Sequence, residues 1–226
     1  MCWNKYVSLN TFIFSTIGIC FLFYSSNYTP YKIDFFVLDK PNKYWNYIGL
    51  LSIFSIQLIE YFLWISIETK NKNMNKIWSI IGLFAIFMQP FSFIMATETS
   101  EIYLRNIVLV CYIVFWLLYL LLKLIYNPIN FSTSVAKNGH LSWEWVKYDS
   151  IIVLFIYLLF YSFYYFANKN KNVIILPLLT IIVAFYDFNK HGTFGSYWCW
   201  LANLFIIYYL FYVLFLLPFN EKKYLC

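Results

Sequence analysis

Charge is scarce in this sequence. Only 12% of its 226 residues are Asp, Glu, Lys or Arg, while 62% are hydrophobic, and an ordinary soluble domain carries about twice that share of charge. There is too little polar surface to keep such a chain in water. Histidine is scarcer still: His140 and His191 are the two present, too few to make a dedicated zinc site. The five cysteines (Cys2, Cys20, Cys111, Cys199 and Cys226) include no CxxC pair, which argues against a disulfide framework or a cysteine-rich zinc module. No metal and no cofactor are expected. The net charge of +6 is spread over connecting segments; it marks no basic arm, so nucleic acid is not an expected partner, and weak attraction to anionic lipid accounts for it.

What the sequence does have is long apolar runs. Seven recur, at Val7–Ser25, Trp45–Ile67, Ile77–Thr97, Tyr103–Tyr126, Ser150–Ala167, Asn172–Tyr186 and Gly195–Pro218, most of them near the roughly 20 residues a helix needs to cross about 30 Å of hydrocarbon. The sixth is short. The runs are continuous rather than alternating at period two, so helices are implied and a barrel is not. The expected fold is an all-α polytopic membrane protein of about seven transmembrane helices, with residues 1–226 as one domain. Met1–Lys5 resembles the basic start of a signal peptide, but no small-residue cleavage site follows, and the first run is read as a retained span.

Orientation is not readable. Lysine and arginine divide eight against eight between the two sides, so the positive-inside bias is silent. Two glycosylation sequons, at Asn27 and Asn130, fall on opposite sides and leave the tie in place. Fifteen lysines stand against one arginine, and runs such as NKNMNK and ANKNKN read as solvated spacers.

Polar residues inside the runs are the candidates for function. Ile53, Gln57, Glu60 and Trp64 form one stripe of the second helix. Glu60 lies about 10 Å inside the end of its run at helical rise, too deep for a short side chain to reach bulk water. A carboxyl there needs a partner or a cavity, and the neutral acid is the form a proton relay uses; a role as helix glue is the competing reading. In the third run Pro90 must free a backbone carbonyl, and Gln89 beside it is placed to reach Gln57 or Glu60. Pro177, Thr180, Ala184 and Asp187 share a face of the sixth. Gly195, Ser196, Cys199 and Asn203 make a small, polar stripe in the last, flanked by Trp198 and Trp200; Ser196 and Asn203 are expected to complete a pocket with Glu60 and Gln89. In the long fourth loop, GHLSWEW reads as an interfacial segment, and His140 and Glu144 would share a metal only if helical.

Missing residues remove several seven-helix families. Ceramidase-type hydrolases and progestin-receptor-like proteins need several histidines, a retinal protein needs a lysine in its last helix, and no DRY or NPxxY pattern marks a G-protein-coupled receptor. Prolines in the third and sixth helices do not fit a three-one-three sugar transporter. Taken together, QLIEYFLW, MQP, HLSWEW and GSYWCWLAN resemble polytopic membrane proteins of nucleocytoplasmic large DNA viruses. That resemblance implies a viral or host membrane and brings no catalytic role. Three functions stay open: a channel or transporter centred on Glu60, a non-catalytic membrane interaction protein, and an intramembrane lipid-modifying enzyme. Membrane lipid is the expected partner, and self-association into a homo-oligomer is left open.

Overall fold

The computed structural model describes residues 4–98, 102–126, 131–145, 151–167, 180, 183–184 and 193–219. Helices dominate them: α1 (Lys5–Tyr28), α2 (Tyr44–Glu68), α3 (Lys72–Ala96), α4 (Ile102–Tyr126), α5 (Ile151–Ala167), α6 (Phe194–Leu201) and α7 (Asn203–Phe211). A π-helical turn, Tyr212–Leu216, continues α7. Five stretches are long and apolar enough to cross a membrane: Lys5–Tyr28, Pro41–Glu68, Lys72–Ala96, Ile102–Ile125 and Gly195–Phe219. At 17 residues α5 is shorter. Of the sixth expected run, Thr180, Val183 and Ala184 are described; Pro177 and Asp187 lie outside the described residues, as does His191.

One expectation changes. The NKNMNK run is not a spacer, because Lys72–Lys76 form the first turn of α3 and the Asn71 side chain caps it by accepting from the Met74 amide at 3.0 Å. Cap geometry and a following apolar stripe outweigh low-complexity composition. The fourth loop, read as an interfacial segment, has ordered structure of its own. It holds an antiparallel hairpin, β1 (Thr133–Val135) paired with β2 (Leu141–Trp143), in the register Thr133 to Trp143 and Val135 to Leu141. Gly139 closes it at φ 81° while its amide bonds the Ala136 carbonyl at 2.9 Å, the left-handed position that a three-residue hairpin loop reserves for glycine.

The α2–α3 pair is the most extensively packed. Ser66 meets Asn75 at one end, and Phe93 lies on the bare backbone of Gly49 at the other. Around this pair sit α1 and α5, with α6 against α2. Much of α4 is left uncovered: Val110, Leu117, Leu121 and Leu124 are all exposed, a run of apolar surface that a water-facing helix would not carry.

The turn between α2 and α3 is tight. Lys70 adopts φ 53° while the Asn71 amide reaches back to the Ser66 carbonyl at 2.9 Å, the backbone pattern that normally places glycine at the left-handed residue. A side chain there costs about 1–2 kcal/mol. Lys70→Gly is therefore expected to raise the melting temperature of the detergent-solubilised protein; a lowered value would contradict the strain.

On the opposite end, Asn27 ties α1 to the following segment. Its amide donates to the Phe23 carbonyl at 2.9 Å and the Phe36 carbonyl at 3.0 Å, and its oxygen accepts from the Leu38 amide at 2.8 Å. The first sequon is thus a structural clamp with its nitrogen already engaged. An unglycosylated Asn27 is the expected outcome of intact-mass analysis after expression in a glycosylating host; a glycan at that residue would contradict the clamp.

Candidate functional site

The stripe expected on α2 is buried as one face. Ile53, Gln57, Glu60 and Trp64 are all inside, with Gln57 fully covered. From α6, Ser196 comes near enough to the Glu60 carboxyl to interact with it. The sequence places these two together, and so does the structure. Cys199, one turn further along α6, also comes near Glu60 and lies against the Gln89 side chain from α3.

Gln89 itself is used differently from the expectation. Its oxygen accepts from the Tyr157 hydroxyl of α5 at 2.9 Å, and neither Gln57 nor Glu60 is its partner. Pro90 explains why Tyr157 comes so close. Proline has no N–H for the carbonyl four residues back, which here belongs to Ile86, and the same Tyr157 hydroxyl lies 3.3 Å from that oxygen. On the neighbouring residue, the Tyr112 hydroxyl of α4 donates to the Phe87 carbonyl at 2.7 Å. The proline thus creates a need at the Ile86 carbonyl that Tyr157 of α5 meets.

Several buried polar atoms of α2 and α3 stay unanswered among the described residues. Both amide atoms of Gln57, Oε1 of Glu60 and Oγ of Ser92 are buried with no hydrogen-bond partner. Buried polar groups in folded proteins are nearly always satisfied, by protein or by ordered water. Gln57 and Glu60 share one buried face of α2, while Ser92 lies on α3 nearer the Gly49–Phe93 end.

Asn203, expected in this pocket, is instead tied to its own chain. Its amide donates to the Trp200 carbonyl at 3.0 Å and bridges the break at Ala202 between α6 and α7. Trp200 is half-buried and stacks on Tyr197, ring centroids 6.5 Å apart. His140 and Glu144 stand at either end of β2 rather than on a helix, so their four-residue spacing spans about 13 Å of extended chain and they cannot share an ion. The His140 ring meets Tyr197 edge-on, and Glu144 accepts from the Ser134 hydroxyl at 3.0 Å.

The hairpin closes one end of the site. Asn75, Ser79 and Gly82 of α3, spaced four and three apart, form its dock: the Asn75 amide accepts from the Thr133 N–H at 2.8 Å and donates to the Thr133 carbonyl at 3.1 Å, and the Ser79 and Thr133 hydroxyls bond at 2.8 Å. Trp143 lies across Gly82, where a Cβ would collide with its ring. The antiparallel pairing of α2 and α3 sets Gly82 about level with Glu60. From the other side, Lys123 of α4 donates to the Trp145 carbonyl at 2.8 Å. At its tip, the Asn138 amide donates to the Thr193 hydroxyl at 3.0 Å, one turn before Ser196.

Sequence reasoning missed this dock and also the tyrosines of α5. The signal for the dock is the small or amide residue at 75, 79 and 82; for α5 it is Tyr157, Tyr161, Tyr164 and Tyr165 on one face. With 22 tyrosines in the chain, that second pattern does not stand out.

No protein-family model, no curated protein and no solved structure matches the chain.

Asn75→Ala would strand the Thr133 N–H and C=O, a loss of about 1–3 kcal/mol for a buried group left unsatisfied. The expected result is a lower melting temperature together with protease sensitivity in the 131–145 segment. Unchanged stability and protection would show that the hairpin does not depend on this dock.

Proposed function

We propose that the protein is an integral, multi-pass membrane protein whose buried polar centre, built on Glu60, conducts or transports a small species. The five long apolar helices and the uncovered side of α4 support the membrane setting. One observation carries the transport reading: Glu60 and Gln57, three residues apart on one buried face of α2, hold buried polar atoms without partners among the described residues. Helix glue alone would leave such groups paired, because the unpaired state is the costly one in a low-dielectric interior.

Glu60 is the charged or protonatable element, with Ser196 holding it and Gln57 on the same stripe as a second polar contact. Gln89, fixed by Tyr157, forms the polar wall beyond it. Catalysis on lipid draws less support, since His140 and Glu144 are built into the hairpin and stand apart. A viral or host membrane is the setting that the sequence resemblance would imply.

Purified protein in liposomes, tested with gradients of protons, K+, Na+ and small neutral solutes, checks the reading. Wild type is expected to move at least one of them, and Glu60→Gln, close to isosteric, to lose that flux while keeping its melting temperature. Wild type silent toward every species, or Glu60→Gln as active as wild type, would make Glu60 a packing group.

A further inference from the structure

The hairpin is anchored differently at its two ends. Its base is fixed to two helices: Thr133 makes three hydrogen bonds with Asn75 and Ser79 of α3, Trp143 lies across Gly82, and the Trp145 carbonyl accepts from Lys123 of α4. Its tip keeps a shape of its own. The Ala136 amide donates to the His140 carbonyl at 2.8 Å, the Gly139 amide to the Ala136 carbonyl at 2.9 Å, and the His140 amide to the Asn138 side-chain oxygen at 3.2 Å. This unit reaches the bundle at α6, where the Asn138 amide donates to the Thr193 hydroxyl at 3.0 Å and the His140 ring meets Tyr197 edge-on, centroids 5.6 Å apart.

What the tip covers is the start of a helix that begins deep in the bundle. Glu60 stands eight residues, about 12 Å at helical rise, before the end of α2 at Glu68. Ser196, which comes near it, is only the third residue of α6. Further along the same pair of helices, Trp198 and Ala202 line one small cavity with Leu50, Ile53 and Phe54, so α6 follows α2 from the level of Glu60 and not from its end. The tip therefore occupies space that a longer α6 would have filled, and it covers Thr193, which is fully buried. Beside Ser196 there is room: nothing among the described residues lies within 4 Å of where a Cβ on Gly195 would stand.

We propose that the tip of the hairpin is a lid over the Glu60 site, latched to α6 by Asn138 and Thr193 and hinged at the Thr133 dock. The inference rests on the reading of Glu60 as a centre that a polar species reaches. Lifting the tip exchanges the Asn138–Thr193 bond for bonds to water, a small net change for two groups that water also satisfies. The bonds within the tip and those of the base persist, so the segment moves as one piece. With the tip raised, water reaches the first turn of α6, whose leading amides no side chain caps, and from there Ser196 and Glu60. With the tip latched, that approach is shut.

The test uses Ser196→Cys, a change of one atom, as a reporter in nanodiscs, where both faces meet a water-soluble methanethiosulfonate; peptide fragmentation separates labelling at position 196 from that of Cys199. Thr193→Val keeps the side-chain shape and removes the latch oxygen. Added to the reporter, it is expected to speed labelling about two- to tenfold, the weight of one hydrogen bond, and Tyr197→Leu, which removes the ring beside His140, to act in the same direction. Ser162→Ala, whose hydroxyl bonds within α5 at 2.7 Å, is the control expected to leave the rate alone. Labelling unchanged by both Thr193→Val and Tyr197→Leu would overturn the lid, as would an acceleration that Ser162→Ala shares. The rates are read without flux. A protein that moves no species but whose labelling follows the latch would overturn the transport reading alone, and a conducting protein whose labelling ignores the latch would overturn the lid alone.

Discussion

Taking the Glu60 carboxyl out of water costs several kcal/mol unless other groups answer it, and the helices that meet around it are arranged by that requirement. Ser196 answers from α6, and Cys199 on the next turn carries the contact on to Gln89 of α3. Tyr157 of α5 then fixes Gln89. Apolar packing alone specifies helix positions loosely, since one lipid-like face slides easily past another. Directional polar contacts set rotation and depth, which is how sparse polar residues organise helices that hydrophobicity cannot distinguish.

Pro90 belongs to the same economy. The carbonyl it frees would be a further unanswered group, and it is instead the point at which α5 is bound to α3 through Tyr157. The hairpin obeys the rule too. Backbone polar groups taken away from water need partners, and Thr133, Leu141, Ser142 and Trp143 are all buried. Asn75 supplies the Thr133 peptide group with the donor and acceptor that a third strand would have given it.

Much of the helical frame was legible in the sequence because apolar runs of membrane length have few other uses. The Glu60 face was legible too, since its polar members recur at helical spacing, and Ser196 was found as its partner. Gln89 and Asn203 show where such reading ends. Their depth and face follow from periodicity, but whether an amide bonds across to another helix or back to its own depends on which neighbours stand within reach. That is tertiary information. The hairpin was hidden for a different reason: its strands are three residues each, shorter than any pattern that periodicity resolves, and only the Asn-Gly pair at its tip announces a turn.

Whether Glu60 communicates with water is the point on which the transport account turns. Infrared spectroscopy of the reconstituted protein, with the Glu60 carboxyl band assigned by its absence in Glu60→Gln, measures this directly. The band is expected to shift promptly when bulk water is exchanged for D2O and to change reversibly as bulk pH is varied. A band that neither exchanges nor responds to pH while the rest of the protein equilibrates would show a sealed carboxyl, and would contradict a path through Glu60.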